Sequence, residues 1–159
     1  MEQTKRLRHR MVITTSTMLP DCQRHYRQIE IGDAEKLGGL MFDSYRGTID
    51  DEGETPEQAI GAIKNTLSGK YGDWIGRASF LIEENGEIQS ATIVSFFNGS
   101  PLLTFALTHP RAQRKGLASF LIKRSIDALA QASYKNLYLV VTDGNPAERI
   151  YSKIGFKRI

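Results

Sequence analysis

The chain has 159 residues, 40% of them apolar and 25% charged, with 21 basic against 18 acidic side chains and a net charge of +3. That size and balance suit one globular domain, 1–159, in which 1–20 reads as an N-terminal extension. No stretch approaches the roughly 20 apolar residues that span a bilayer, no apolar run follows the charged start as in a secretory signal, and the single Cys22 builds neither a disulfide nor a metal site, so a reducing, cytoplasmic setting is expected. In chain order, residues 1–10 carry Lys5, Arg6, Arg8 and Arg10 against Glu2, which accounts for the whole net charge and leaves a formally neutral body. Such a body lacks the patterned basic face of a nucleic-acid-binding domain, and the arm reads as a solvated terminus. Met11 to Thr15 is short and β-prone, Pro20-Asp21 marks a turn, and Tyr26 to Ile31 alternates as a strand does. Asp33 predicts the N-cap of a helix over 34–45, and 47–54 reads as loop. Thr55-Pro56-Glu57-Gln58 combines a cap, a first-turn proline and a capping-box glutamine; Ile60, Ile63 and Leu67 form the apolar stripe behind it, and Gly69 the stop. Asn85-Gly86 between the apolar runs 78–83 and 88–97 predicts a hairpin, and 102–108 a further strand. A helix follows over 117–132, with Leu117, Leu121, Ile122, Ile126 and Leu129 in the core; the apolar run 137–141 reads as a strand buried on both faces. Asn145 and Glu148 suggest a second capping box before a short helix that Gly155 ends, with a stub of strand over 156–159.

Within this order one segment carries chemistry. Gln113-Arg114-Lys115-Gly116-Leu117-Ala118 lies between a strand and a helix start, where main-chain N–H groups converge and the helix dipole favours an anion. Gly116 lets a phosphate approach the backbone, and Ala118 keeps the first turn small. The spacing fits neither a Walker loop nor the three-glycine dinucleotide fingerprint. It resembles the Gln/Arg-x-x-Gly-x-Gly/Ala pyrophosphate loop of the GNAT superfamily of N-acetyltransferases. Downstream, Asn145, Tyr151 and Gly155-Phe156 resemble that family's Asn-x-x-x-x-x-Tyr-x-x-x-Gly-Phe signature. The order of elements is similar too.

The resemblance implies an α/β (α+β) fold of GNAT type. This is a mixed, mostly antiparallel central sheet flanked by helices, with splayed parallel strands, here 102–108 and 137–142, holding acetyl-coenzyme A. It implies pantetheine bonded to main-chain groups near Leu107 and Thr108, and pyrophosphate on Gln113, Arg114, Lys115, Gly116, Leu117, Ala118 and Ser119. The charges of Arg114 and Lys115 either assist or point to solvent. Tyr151 is implied as general acid toward the leaving thiolate, because a phenol near the sulfur can donate as charge develops. Asn145 is implied at the cofactor, or serves as the helix cap. No metal is expected. The implied activity is direct transfer of acetyl from acetyl-coenzyme A to a primary amine, small or peptidic. The position of Cys22 in the extension argues against a covalent acetyl-enzyme.

The general base is not legible: Glu83 and Glu84 sit beside a hairpin turn, and His109 precedes a proline. The acids of Asp50-Asp51-Glu52-Gly53-Glu54 either draw a cationic acceptor or are solvated loop charges, and Trp74 and Tyr71 either wall a pocket or pack elsewhere. Family members commonly run on past Gly-Phe into a full strand and a hairpin partner, whereas three residues follow Phe156 here. The 11–15 stretch or a second subunit is expected at that edge, which makes a dimer an expectation. Two rival readings are a non-catalytic acyl-coenzyme A sensor and a nucleic-acid regulator acting through its basic arm.

Overall fold

The computed structural model describes residues 6–159. The readings of Lys5 and Glu2 in the basic arm lie outside the described residues. Eight strands form one sheet: β1 (Arg8–Thr14), β2 (Arg27–Gln28), β3 (Asp73–Trp74), β4 (Phe80–Glu84), β5 (Glu87–Phe97), β6 (Ser100–Thr108), β7 (Asn136–Thr142) and β8 (Lys157–Arg158). Four helices accompany it: α1 (Ala34–Tyr45), α2 (Pro56–Leu67), α3 (Leu117–Gln131) and α4 (Ala147–Ile154). The sheet order is β2-β4-β5-β6-β7-β1-β8, with β3 added to β5. All pairings are antiparallel except β6 with β7. This is the GNAT fold.

Alternation along the strands divides the core in two. Leu81, Ala91, Ile93 and Leu107 point to one face, where they meet Leu37, Leu40 and Met41 of α1 and Ala59 and Ile63 of α2. On the other face Ile122, Ile126 and Leu129 of α3 meet Val94, Leu103, Leu137 and Leu139. All five expected core residues of α3 are buried. The capping box of α2 forms as its sequence predicts: Gln58 N–H donates to Thr55 Oγ1 at 3.1 Å and Thr55 N–H to Gln58 Oε1 at 2.9 Å. Asn85 (φ 53°) and Gly86 (φ 79°) take the paired left-handed conformations of a tight hairpin.

Two capping residues bond differently from expectation. Asp33 is the N-cap residue of α1, as expected, but its side chain makes no cap hydrogen bond. Its carboxylate instead receives both Arg27 guanidinium nitrogens at 2.8 Å and the Glu30 N–H at 2.8 Å, and the strand expected over 26–31 shrinks to two residues beside that turn. Asn145 Oδ1 does accept from Ala147 N–H at 3.0 Å, but Glu148 does not return to it. The Glu148 carboxylate bonds Arg158 (2.6 and 2.9 Å) and His9 (3.0 Å), because a cation offers it a stronger partner than a neutral amide.

The N-terminal segment is part of the sheet. β1 pairs with β7 along its whole length, from Arg8 opposite Thr142 to Thr14 opposite Asn136, and β8 pairs with the outer side of β1. The edge left by the short C-terminal strand is thus filled from the other end of the chain. Residues 15–26 then strap across α3. Met18 N–H donates to Asp127 (2.8 Å), buried Arg124 donates to the Met18 carbonyl (2.5 Å), Lys123 meets Asp21 (2.8 Å) and Arg24 reaches the Lys115 carbonyl (2.5 Å).

Candidate active site

The segment from β6 to α3 is built to leave donors free. His109 Nδ1 accepts from Arg111 N–H at 3.1 Å and so sets the Pro110–Ala112 turn. Arg114 (φ 65°) and Gly116 (φ 75°) are both left-handed. No side chain caps α3, and its first backbone bond runs from Phe120 N–H to the Gly116 carbonyl. The N–H groups of Leu117, Ala118 and Ser119 are therefore the unsatisfied donors that every helix start carries, preceded by a left-handed nest. Leu117 turns its side chain into the core, while Gln113, Arg114 and Lys115 are exposed. Arg24 was not anticipated by motif reading. It ties the loop to the strap, and its Nη2 lies 3.8 Å from where a Cβ on Gly116 would stand.

Between β6 and β7 the ladder has a single register pair, Leu102 with Tyr138. A bulge in the β5–β6 pairing helps to open it: Ile93 faces Phe105 but Val94 faces Leu103, so Thr104 is the extra residue. From there the parallel strands part toward Thr108 and Thr142. His109 N–H donates to the Gln89 carbonyl at 2.8 Å, and Ser90 Oγ donates to the Leu107 carbonyl at 2.9 Å. Alternate residues turn their main-chain groups to opposite sides, so Leu107 faces β5 while Ala106 and Thr108 face the gap. The main-chain groups near Leu107 and Thr108 that are expected to meet the pantetheine are thus, on the gap side, those of Ala106 and Thr108, with Leu107 between them. Thr108 keeps its N–H toward the gap, and its carbonyl accepts from Ser44 Oγ at 2.9 Å.

Tyr151 projects from α4, packs on the core that lines β1 and β7, and lies 6.1 Å from the Phe156 ring, centre to centre. Among the described residues its hydroxyl has no hydrogen-bond partner. Burial, and secondarily the charge of Asp50, push its pKa up to about 12. The same two influences push the Tyr45 phenol well above its usual value, with Tyr151 itself adding to the effect. Asp50 in turn is anchored by Asn145, whose Nδ2 donates to its carboxylate at 3.1 Å. Burial raises the Asp50 pKa above the ordinary carboxylate value, against the opposing pull of Asn145 and Arg8. Asn145 and Asp50 are thus bonded to each other, and the Asp50 charge reaches both the Tyr45 and Tyr151 phenols. Asn145 accepts from the Ala147 N–H and bridges to Asp50 at once.

The remaining acids of that loop have other employment. Asp51 accepts from the N–H groups of Gly47 and Gly53, both at 2.8 Å, which hold its pKa down. Glu52 pairs with Arg8 at 3.1 Å, and Glu54 accepts from Glu52 N–H. Trp74 pairs opposite Ser95 and donates from Nε1 to Ser79 Oγ at 3.0 Å. That is the Leu102 end of β6, remote from Thr108, so neither Trp74 nor its neighbour Tyr71 walls the gap. Glu83 and Glu84 are exposed, as expected. Motif reading also missed a charged knot beneath α4, where His9 lies between Asp143 (2.7 Å) and Glu148 (3.0 Å), with Arg158 beside both acids.

A sheet whose parallel strands part above an uncapped helix start is the arrangement of the GNAT fold. Comparison agrees. Residues 88–159 match the family model described as FR47-like protein. A GCN5-related N-acetyltransferase from Sphaerobacter thermophilus superposes with a TM-score of 0.71 at 16% identity, covering 96% of this chain and 48% of its own. A ribosomal-protein-alanine N-acetyltransferase from Brucella melitensis gives 0.65 at 17% identity over 84% of this chain and 85% of its own. A predicted acetyltransferase with acetyl-CoA from Clostridium acetobutylicum gives 0.61 at 18% identity, with coverages of 84% and 89%. The chain spans about half the length of the Sphaerobacter protein. No curated protein matches. The resemblance to GNAT superfamily N-acetyltransferases, first carried by the motifs at 113–118 and 145–156, therefore holds at the level of the fold. Among the described residues no helix is long and apolar enough to cross a membrane, and no cluster of three or more His, Cys, Asp or Glu is arranged to hold a metal.

Proposed function

We propose that residues 1–159 form one acetyltransferase domain that moves an acetyl group from acetyl-coenzyme A directly to a primary amine, with Tyr151 as the acid toward the leaving sulfur. The observation that carries this reading is the continuity of three features. A gap of unpaired ladder runs along β6 to Thr108, the chain goes on from there to the bare N-terminus of α3, and the Tyr151 phenol packs on the core that lines β7. These residues fit the cosubstrate: the N–H groups of Leu117 to Ser119 suit its pyrophosphate, and the main-chain groups of Ala106 and Thr108 suit the amides of its pantetheine arm.

When bound, the thioester supplies an activated acetyl carbon and a thiolate leaving group. Around it the chain's own groups do three things. The α3 N-terminus and the loop from Gln113 hold the polyphosphate, with Arg24 keeping the Lys115 carbonyl turned away from it. The β6 edge orients the acyl arm. Tyr151 remains protonated throughout the neutral range, since its pKa lies at about 12, so its O–H is always available to the sulfur. The acceptor is an amine, small or on a peptide terminus.

The test is to follow free thiol release from acetyl-coenzyme A with a panel of amines. Amine-dependent release should fall about 10²-fold or more in Tyr151→Phe while acetyl-coenzyme A still binds. Tight binding without consumption of any amine would favour a sensor, and an absence of binding would overturn the assignment.

A further inference from the structure

Resting on the transferase reading, we propose that Asp50 is the proton acceptor for the amine and returns that proton to Tyr151, so that the two side chains work as one relay. The placement of Asp50 is specific. It sits in the loop joining α1 to α2, yet its carboxylate is held by Asn145 on the turn that starts α4, six positions before Tyr151. The two segments also touch through Ile49, whose Cδ1 lies 3.7 Å from where a Cβ on Gly144 would stand. Of the four acids in that loop, Asp51 is consumed by loop amides, Glu52 by Arg8 and Glu54 by the Glu52 amide. Asp50 alone is bound across to the start of α4, and its charge is felt by both tyrosines. The charged and titratable groups around it are Arg8 of β1, Glu52 and Glu54 of its own loop, Tyr45 of α1 and Tyr151 of α4.

Proton balance gives the relay its purpose. A phenol near pKa 12 transferring its proton to an alkyl thiolate, with a thiol pKa of about 8.5, runs about three powers of ten uphill. A carboxylic acid that replaces the phenol's proton as it leaves avoids a phenolate; the net transfer then runs from the ammonium to the thiolate, and forming the N–C bond, which makes the nitrogen far more acidic, draws it forward. The acceptor arrives as R–NH3+. Asp50 takes one proton and frees the nitrogen lone pair; the N–C bond forms as the C–S bond breaks. Sulfur takes the Tyr151 proton, and the Tyr151 oxygen takes the one held on Asp50, relayed through water. The second ammonium proton leaves to solvent and the third stays on the amide nitrogen. Both side chains end as they began, and no oxidant or metal is needed.

A double-mutant cycle tests this. Asp50→Asn should lower kcat about 10²-fold or more, leave the acceptor KM and the affinity for acetyl-coenzyme A within about threefold, and abolish the acid limb of the kcat/KM profile. The pair Asp50→Asn with Tyr151→Phe should be no slower than the slower single variant, because residues acting as a unit are not additive. Losses that multiply, a change confined to KM, or an unaltered kcat would each overturn the relay. If Asp50→Asn does not fold, Asn145→Ala supplies the readout: removing the bond that acidifies Asp50 should move the acid limb to higher pH, and an unmoved limb would refute the role. An indifferent Asp50→Asn beside a crippled Tyr151→Phe would sink the relay alone. A wild type that binds acetyl-coenzyme A and acetylates nothing would sink the transferase reading and the relay with it.

Discussion

Two adjacent glycines in α1 should respond to the same substitution with opposite signs. A Cβ built on Gly38 would stand 2.4 Å from Ile60 Cγ1, 2.5 Å from Ile60 Cα and 2.8 Å from Ile60 N. Two of those three atoms are backbone, so no rotamer change relieves the overlap, and α1 and α2 must move apart by about 1 Å to restore ordinary contact near 3.5 Å. Gly→Ala inside a helix gains roughly 0.5–1 kcal/mol from backbone entropy, whereas overpacking costs about 1–3 kcal/mol and more when backbone must shift. Gly38→Ala should therefore lose about 1–2 kcal/mol net. Gly39 has nothing within 4 Å of its Cβ position. Gly39→Ala should keep the whole gain of about 0.5–1 kcal/mol. In thermal melts this becomes a fall of several degrees for the first and a rise of about 2 °C for the second, at about 2–4 °C per kcal/mol for a domain of this size. Because α1 ends at Tyr45 and α2 begins just after the Asp50 loop, Gly38→Ala should also reduce turnover, and Gly39→Ala should not. Equal signs for the two variants, or a stabilised Gly38→Ala, would refute the close helix crossing.

The other tests concern charge and loop geometry. Arg158, aided by His9 and opposed by burial, holds the Glu148 carboxyl down to about 2, from an ordinary value of 4.5. A lowered acid contributes stability above its unfolded pKa and loses it as pH falls through the folded value. Melts of Glu148→Gln against wild type should therefore differ at pH 7 and converge near pH 2; a difference independent of pH would exclude the ion pair as its source. Gly116→Ala has room, with only Arg24 Nη2 at 3.8 Å, but places a side-chain residue at φ 75°. It should cost about 1 kcal/mol of stability. Calorimetric titration should show acetyl-coenzyme A affinity falling about tenfold, whereas unchanged affinity would remove the loop backbone from the binding site.

The features legible in advance were those whose causes are local. The α2 capping box, the Asn85-Gly86 hairpin and the apolar stripe of α3 each draw on contacts within a few residues, so type and place could be read together. Asp33 and Glu148 misled for the complementary reason. Each has the side chain of a cap, but a guanidinium, Arg27 in one case and Arg158 in the other, offers its carboxylate a charged partner from a distant part of the chain.

The sequence by itself determined the order of elements, the glycine-containing helix start at 116–118 and the spacing of Asn145, Tyr151 and Gly155-Phe156, because backbone conformation and periodicity are written in neighbouring residues. Tertiary structure alone decided which strand fills the sheet beside β7, which main-chain groups face the gap, and which of four loop acids is bound by Asn145. Those outcomes depend on segments far apart in the chain: Arg8 finds Thr142, and Asp50 finds Asn145. Such pairs are selected by burial and by competition among partners, which sequence spacing does not encode.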